Sequence, residues 1–134
     1  MTLVVVPVRY PLSRHSKATL EEAVRIADER DADLTVLHVD LYQDNRGVTR
    51  AELKAAVERE FGPLDRTRFA VRKGFLVEET ILEEVAAEGA DVVVIGTKQA
   101  SRWRRMLQRF LDDPDIETFL QEKLDCQVVT VRAE

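Results

Sequence analysis

Thr2-Leu-Val-Val-Val-Pro-Val8 is a β-branched run with no polar alternation, and its reading decides the fold class. A strand wetted on one face alternates apolar and polar residues. An unbroken apolar run reads instead as a strand covered on both faces, the situation of a parallel sheet. Leu34 to Val39 and Ala90 to Ile95, the latter closed by Gly96, are short apolar segments of the same kind. Phe69 and Val71 alternate with Arg68, Arg72 and Lys73 ahead of Gly74, the pattern of a strand nearer a sheet edge. Gln127 to Arg132 reads as the fifth strand.

Helical spacing fills the intervals. After a loop from Arg9 to His15, Ser16 is expected to cap a helix burying Leu20, Ala23, Val24 and Ala27 and ending near Asp31. Asp40 to Gly47 is a polar loop with turn chemistry at Asn45 and Gly47. Thr49 and Glu52 form a capping box before a stripe of Leu53, Ala56, Val57 and Phe61, and Gly62-Pro63 stops that helix. Val77, Ile81, Leu82, Val85 and Ala86 define a third helix closed by Gly89. Between Thr97 and Asp112 a short amphipathic helix sets Trp103, Leu107, Phe110 and Leu111 against Arg102, Arg105, Gln108 and Arg109. Asp113-Pro114 starts a last helix with Ile116, Phe119, Leu120 and Leu124 on its buried face. Five alternations of strand and helix, joined by right-handed crossovers, predict an α/β doubly wound, open five-stranded parallel sheet with helices on both faces.

A length of 134 residues with 45% hydrophobic content suits one domain with one core, and no linker or repeat divides it. The longest apolar runs fall far short of the ~18 residues of a membrane span, and no basic region precedes the first of them. The expectation is a cytoplasmic protein with no membrane partner. The net charge of -5 argues against nucleic acid, since phosphate binding needs a positive summed field. Cys126 stands alone, without a disulfide partner, a metal-ligand cluster or a neighbouring cation to lower its pKa. It reads as an inert buried thiol, and neither a metal nor a cofactor is expected.

In open α/β sheets, ligands sit beyond the carboxyl ends of the strands where the strand order reverses. That places a candidate crevice at Pro7, Arg9 and Tyr10 after the first strand, Val39 and Asp40 after the second, and Gly96, Thr97 and Lys98 after the fourth.

Five segments carry a resemblance: Leu3-Val-Val-Val-Pro-Val8; Leu37-His-Val39; Gly74 ahead of Glu78-Glu-Thr-Ile-Leu82; Gly89-Ala-Asp-Val-Val-Val-Ile-Gly96; and Asp125-Cys-Gln-Val-Val-Thr-Val131. In this order and spacing, over almost the whole chain, they resemble the universal stress protein family. The resemblance implies strand order 3-2-1-4-5, pairing as a homodimer through the C-terminal strand and a role in stress response. Many members also bind ATP through G-x2-G-x9-G-S/T after strand four and an aspartate after strand one. Here Gly96 fits the first glycine, but Gln99 takes the second, and Arg109-Phe110 or, in another register, Pro114-Asp115 falls where Gly-Ser should stand. Arg9 occupies the aspartate position. Asp112, Asp113, Asp115 and Glu117 also crowd the following helix start, where each carboxylate satisfies donors and repels phosphate by about 0.3–1 kcal/mol. The resemblance is therefore to the branch lacking the ATP motif.

Other candidates are weighed against plainer accounts. Arg9 and Lys98 suit an anion, but an ion pair with an acid such as Asp40 is the preferred reading. His38 lies in an apolar strand with no second ligand at spacing and reads as structural. Ser13 and His15 lack a glycine elbow and an orienting group, so loop and capping chemistry is preferred over a nucleophile with Asp40. Lys98, Arg102, Arg104, Arg105 and Arg109 around Trp103 form a basic, aromatic patch suited to RNA, an anionic metabolite or an acidic partner. A solvated helix face with Trp103 buried is the preferred alternative.

The adenylyl-transferring α/β enzymes are disfavoured, because neither Ser-Gly-Gly-x-Asp-Ser nor His-x-Gly-His occurs. The expectation is a non-enzymatic regulatory or binding module acting through a protein partner or small anionic ligand. The alternative is a nucleotide-binding (ATP or AMP) stress protein with a degenerate loop, using Arg9, Lys98 and Arg102 on phosphate. The dimer expectation rests on Val128, Val129, Thr130 and Val131, a rim strand without the charges or prolines that usually blunt an edge.

Overall fold

β-Branched runs become strands and three-and-four spacings become helices in the order the sequence sets out. The computed structural model describes residues 2–108 and 116–132, as β1 (Leu3–Pro7), α1 (Arg14–Glu29), β2 (Asp33–Leu41), α2 (Arg50–Phe61), β3 (Thr67–Gly74), α3 (Val77–Glu88), β4 (Val92–Gly96), α4 (Thr97–Leu107), α5 (Ile116–Leu124) and β5 (Gln127–Val131). A single 3-10 turn, Tyr42–Asp44, follows β2. The five strands form one parallel sheet in the order β3-β2-β1-β4-β5. No helix among the described residues is long and apolar enough to cross a membrane.

Period-two side-chain alternation divides the core between the two faces. Val4 and Val6 of β1 pack with Leu34, Val36, Val92 and Val94 beneath Leu20, Ala23 and Ile26 of α1 and Leu53 and Val57 of α2. Val5 faces the other way with Leu37, Val93, Ile95 and Val128, beneath Ile81 and Val85 of α3, Trp103 and Leu107 of α4 and Leu120 of α5. The unbroken apolar runs are thus strands with a helical layer on each side.

The capping box holds as drawn: Thr49 Oγ1 accepts the Glu52 N–H at 3.1 Å, and Glu52 Oε1 accepts the Thr49 N–H at 3.0 Å. The start of α1 departs from expectation. Ser13, not Ser16, is the N-cap, its Oγ accepting the Ser16 N–H at 3.1 Å. Ser16 lies inside the first turn and its Oγ accepts the Arg9 N–H at 2.9 Å, tying the β1–α1 loop to the helix. β2 runs on to Leu41, so Asp40 belongs to the strand and not to the loop after it. Ala86 is exposed, because α3 turns only its Ile81 and Val85 side firmly to the sheet. The Asp113-Pro114 helix start, with Phe110, Leu111, Asp112 and Asp115, lies outside the described residues.

Candidate functional site

β1 and β4 are neighbours from which the chain departs in opposite directions across the sheet, and their carboxyl ends open a crevice of about 480 Å³. Its walls come from the β1–α1 loop, the end of β2, the start of α3 and the first turns of α4. Pro7, Arg9, Val39, Asp40, Gly96 and Lys98 all line it. Thr97 is exposed and does not.

Sequence reasoning missed several lining groups. Ser13, His15, His38, Asp44 and Arg46 face the same space, as do Gln99 and Arg102 from α4. Arg102 belongs to the surface patch in the sequence reading and, in its nucleotide-binding alternative, to the phosphate contacts, and the crevice placement agrees with the second of these. The signal for α4 was present: residues 98, 99 and 102 share one side of a helix beginning immediately after Gly96.

The crevice is electrostatically lopsided. Arg9, Arg46, Lys98 and Arg102 line it against two carboxylates, Asp40 and Asp44. The preferred ion pair between Arg9 and Asp40 does not form. Asp40 is 3% exposed and its Oδ2 accepts the Val48 N–H at 3.2 Å, so the carboxylate is turned to holding the loop after β2. Among the described residues none of the four cations has an ion-pair partner. Gln99 adds a donor, since its side-chain amide nitrogen is buried without a hydrogen-bond partner. The N-cap of α4 is Gly96, which offers no side-chain cap, so that helix start keeps open donors and its positive dipole end beside Lys98 and Gln99.

His38 contributes shape rather than charge. Burial pushes its pKa below the ordinary histidine value, against a smaller raising effect of its bond to Val8. Since a carbonyl can only accept, Nδ1 donates to Val8 O at 3.2 Å, and the Tyr10 ring stands edge-on 6.2 Å away. Ser13 is occupied with capping and Ser16, and among the described residues no hydrogen bond orients the His15 ring toward it. Among the described residues no three carboxylate, histidine or cysteine side chains are grouped to hold a metal.

The sequence profile of the universal stress protein family matches residues 1–132. The chain belongs to that family. Solved structures of universal stress proteins share its fold: UspA from Lactobacillus plantarum at 20% identity and TM-score 0.64, covering 98% of this chain and 97% of that one. One in complex with cAMP stands at 17% and 0.66, covering 99% and 98%. One from Archaeoglobus fulgidus stands at 16% and 0.65, covering 98% of this chain but 44% of that one. No curated protein matches the chain.

Within this universal stress protein fold, the position of the second motif glycine is Gln99, inside a helix rather than a loop. Arg109, the last of the expected basic patch, lies outside the described residues. Arg104 and Arg105 are exposed, but Trp103 is fully buried and its Nε1 donates to Glu78 O at 3.2 Å. Among the described residues the patch therefore has no stacking surface, because Trp103 is part of the α3–α4 contact. Cys126 is buried, with its thiol pushed up to about 11 by burial and then by Asp91. β5 forms the sheet rim opposite β3, with Val128 buried, Val129 and Val131 half-buried against the core, and Thr130 exposed.

Proposed function

We propose that this chain is a non-enzymatic binding module of the universal stress protein family, a homodimer paired through β5, which takes a small anionic ligand in the crevice and does not depend on ATP. The observation that carries the reading is the convergence of Arg9, Lys98, Arg102 and Arg46 on one space with no ion pair among the described residues. A cluster of like charges in a half-enclosed cleft repels itself, and a bound anion relieves that repulsion. The Gln99 amide and the uncapped start of α4 add neutral donors to the same end. With no glycine-rich loop, the chain offers side-chain forks where backbone amides would wrap a triphosphate, which favours a compact head of one or two charges.

A second reading, a nucleoside monophosphate as that ligand, is favoured because Arg9, Lys98 and Arg102 line a single crevice and a structurally similar relative is known in complex with cAMP. Native mass spectrometry of the purified protein tests both parts at once. A dimer that retains a small anion supports the proposal, and a nucleoside monophosphate as that anion selects the second reading. A monomer, or a chain carrying ATP, overturns it.

A further inference from the structure

The crevice has two unlike ends. Arg9, Lys98 and Arg102 stand on the β1 and α4 side. On the β2 and α3 side Leu41 and Val77 line it beside Asp40, Asp44 and Arg46, and next to Leu41 and Val77 along the chain stand the exposed large hydrophobics among the described residues: Tyr42 at 52%, Phe75 at 70% and Leu76 at 50%. These are not scattered. The Tyr42 and Phe75 rings touch with centroids 4.8 Å apart, and the Gln43 amide donates to Phe75 O at 3.0 Å, joining the loop after β2 to the loop after β3. Isolated exposed apolar residues need no explanation, whereas a contiguous group at the mouth of a cleft does.

We propose that crevice and lip are one site, and that its ligand is an anionic amphiphile: a small charged head held at the cationic end and an alkyl or acyl tail laid over Leu41 and Val77 onto Tyr42, Phe75 and Leu76. The proposal rests on the small-anion reading above and adds the class of molecule bearing that anion. Two observations favour a ligand tail over a protein partner. Tyr42 directly follows Leu41 and Leu76 directly precedes Val77, so the lip continues the crevice wall. Three side chains are also far fewer than the roughly 20–30 residues a side of a specific protein interface. The tail is aliphatic in character because the lip offers mainly the apolar surfaces of Tyr42, Phe75 and Leu76, and the Gln43 amide beside them is already bonded to the Phe75 carbonyl.

The test is calorimetric titration of the full chain with inorganic phosphate, butyl, hexyl and octyl phosphate, and octanol, each below its aggregation limit. Octyl phosphate is expected to bind at least tenfold tighter than inorganic phosphate, with affinity rising along the series. Phe75→Ser with Leu76→Ser is expected to bring the octyl-to-inorganic ratio close to one, with circular dichroism confirming the fold. Tyr42→Ser gives an independent reduction. Equal affinity for octyl and inorganic phosphate overturns the amphiphile and leaves the anion site standing. Octanol binding as tightly as octyl phosphate also overturns it, since the head then contributes nothing. Absence of binding by every phosphate overturns the small-anion reading itself.

Discussion

Replacing Trp103 by alanine separates a structural role from a surface one. Its indole is fully buried between α4 and α3 and its Nε1 holds Glu78 O. A tryptophan buries roughly 150–250 Å², worth about 4–6 kcal/mol at ~25 cal/mol per Å². Measured Trp→Ala and Phe→Ala losses in cores are about 3–5 kcal/mol. The two routes converge near 4 kcal/mol, a large part of the ~5–15 kcal/mol stability of a domain. At roughly 4 °C per kcal/mol for a chain of this size, the melting temperature should fall by about 15 °C. Trp103→Phe, which keeps most of the apolar volume and loses the hydrogen bond, should cost substantially less. Urea unfolding followed by circular dichroism reads both, and the single tryptophan makes wild-type fluorescence a direct check. A loss below about 1 kcal/mol in Trp103→Ala, or the red-shifted emission of a hydrated indole, would refute the buried placement and restore Trp103 to the basic surface.

Charge reversal of Arg104 and Arg105 together should leave stability within about 0.5 kcal/mol of wild type per substitution, because both are exposed and without ion pairs among the described residues. A large fall in melting temperature would make them structural. Glu88, whose Oε1 accepts from Thr35 at 3.0 Å and pairs with Arg68, is raised above the ordinary glutamate range by burial and then by Glu84 one turn away, itself paired with Arg72. The folded state thus keeps a proton that the unfolded chain releases, so this group costs nothing below the ordinary value of 4.5 and lowers stability as pH rises from there through its folded pKa. Glu88→Gln should gain on wild type over that rise in urea midpoints, and a difference independent of pH contradicts it. Val129→Lys or Val131→Pro in β5 should turn a dimer into a monomer or an insoluble species, since one brings unpaired charge to the rim and the other removes a backbone donor. Light scattering that finds an intact dimer in both substitutions removes β5 from the interface.

The fold was legible because both of its determinants are local. A β-branched run without polar alternation needs covering on two faces, and Val4, Val5 and Val6 are all fully buried between two helical layers. Thr49 and Glu52 cap each other three residues apart, which spacing alone shows. The α1 cap falls on Ser13 where the sequence pointed to Ser16, because both hydroxyls precede the same apolar stripe and the Arg9 N–H claims Ser16.

The site was legible in part for the same reason. Strand ends mark the crevice, so Pro7, Arg9, Val39, Asp40, Gly96 and Lys98 were reachable from topology. His38 and Arg46 were not, since they reach the crevice through the length of β2 and the path of its following loop. The pairing of Arg9 with Asp40 failed because proximity along strand ends does not say which way a buried carboxylate turns, and Val48 had the nearer donor.

The central claim, an anion crevice that is not an ATP site, meets its most direct test in one titration calorimetry experiment comparing inorganic phosphate and AMP with Mg-ATP on wild type and Arg102→Gln. Measurable heat is expected for at least one of the small anions, weakened by Arg102→Gln, with Mg-ATP affinity no tighter than about 100 μM, near -5.5 kcal/mol. Micromolar Mg-ATP binding, or small-anion binding indifferent to Arg102, would contradict it.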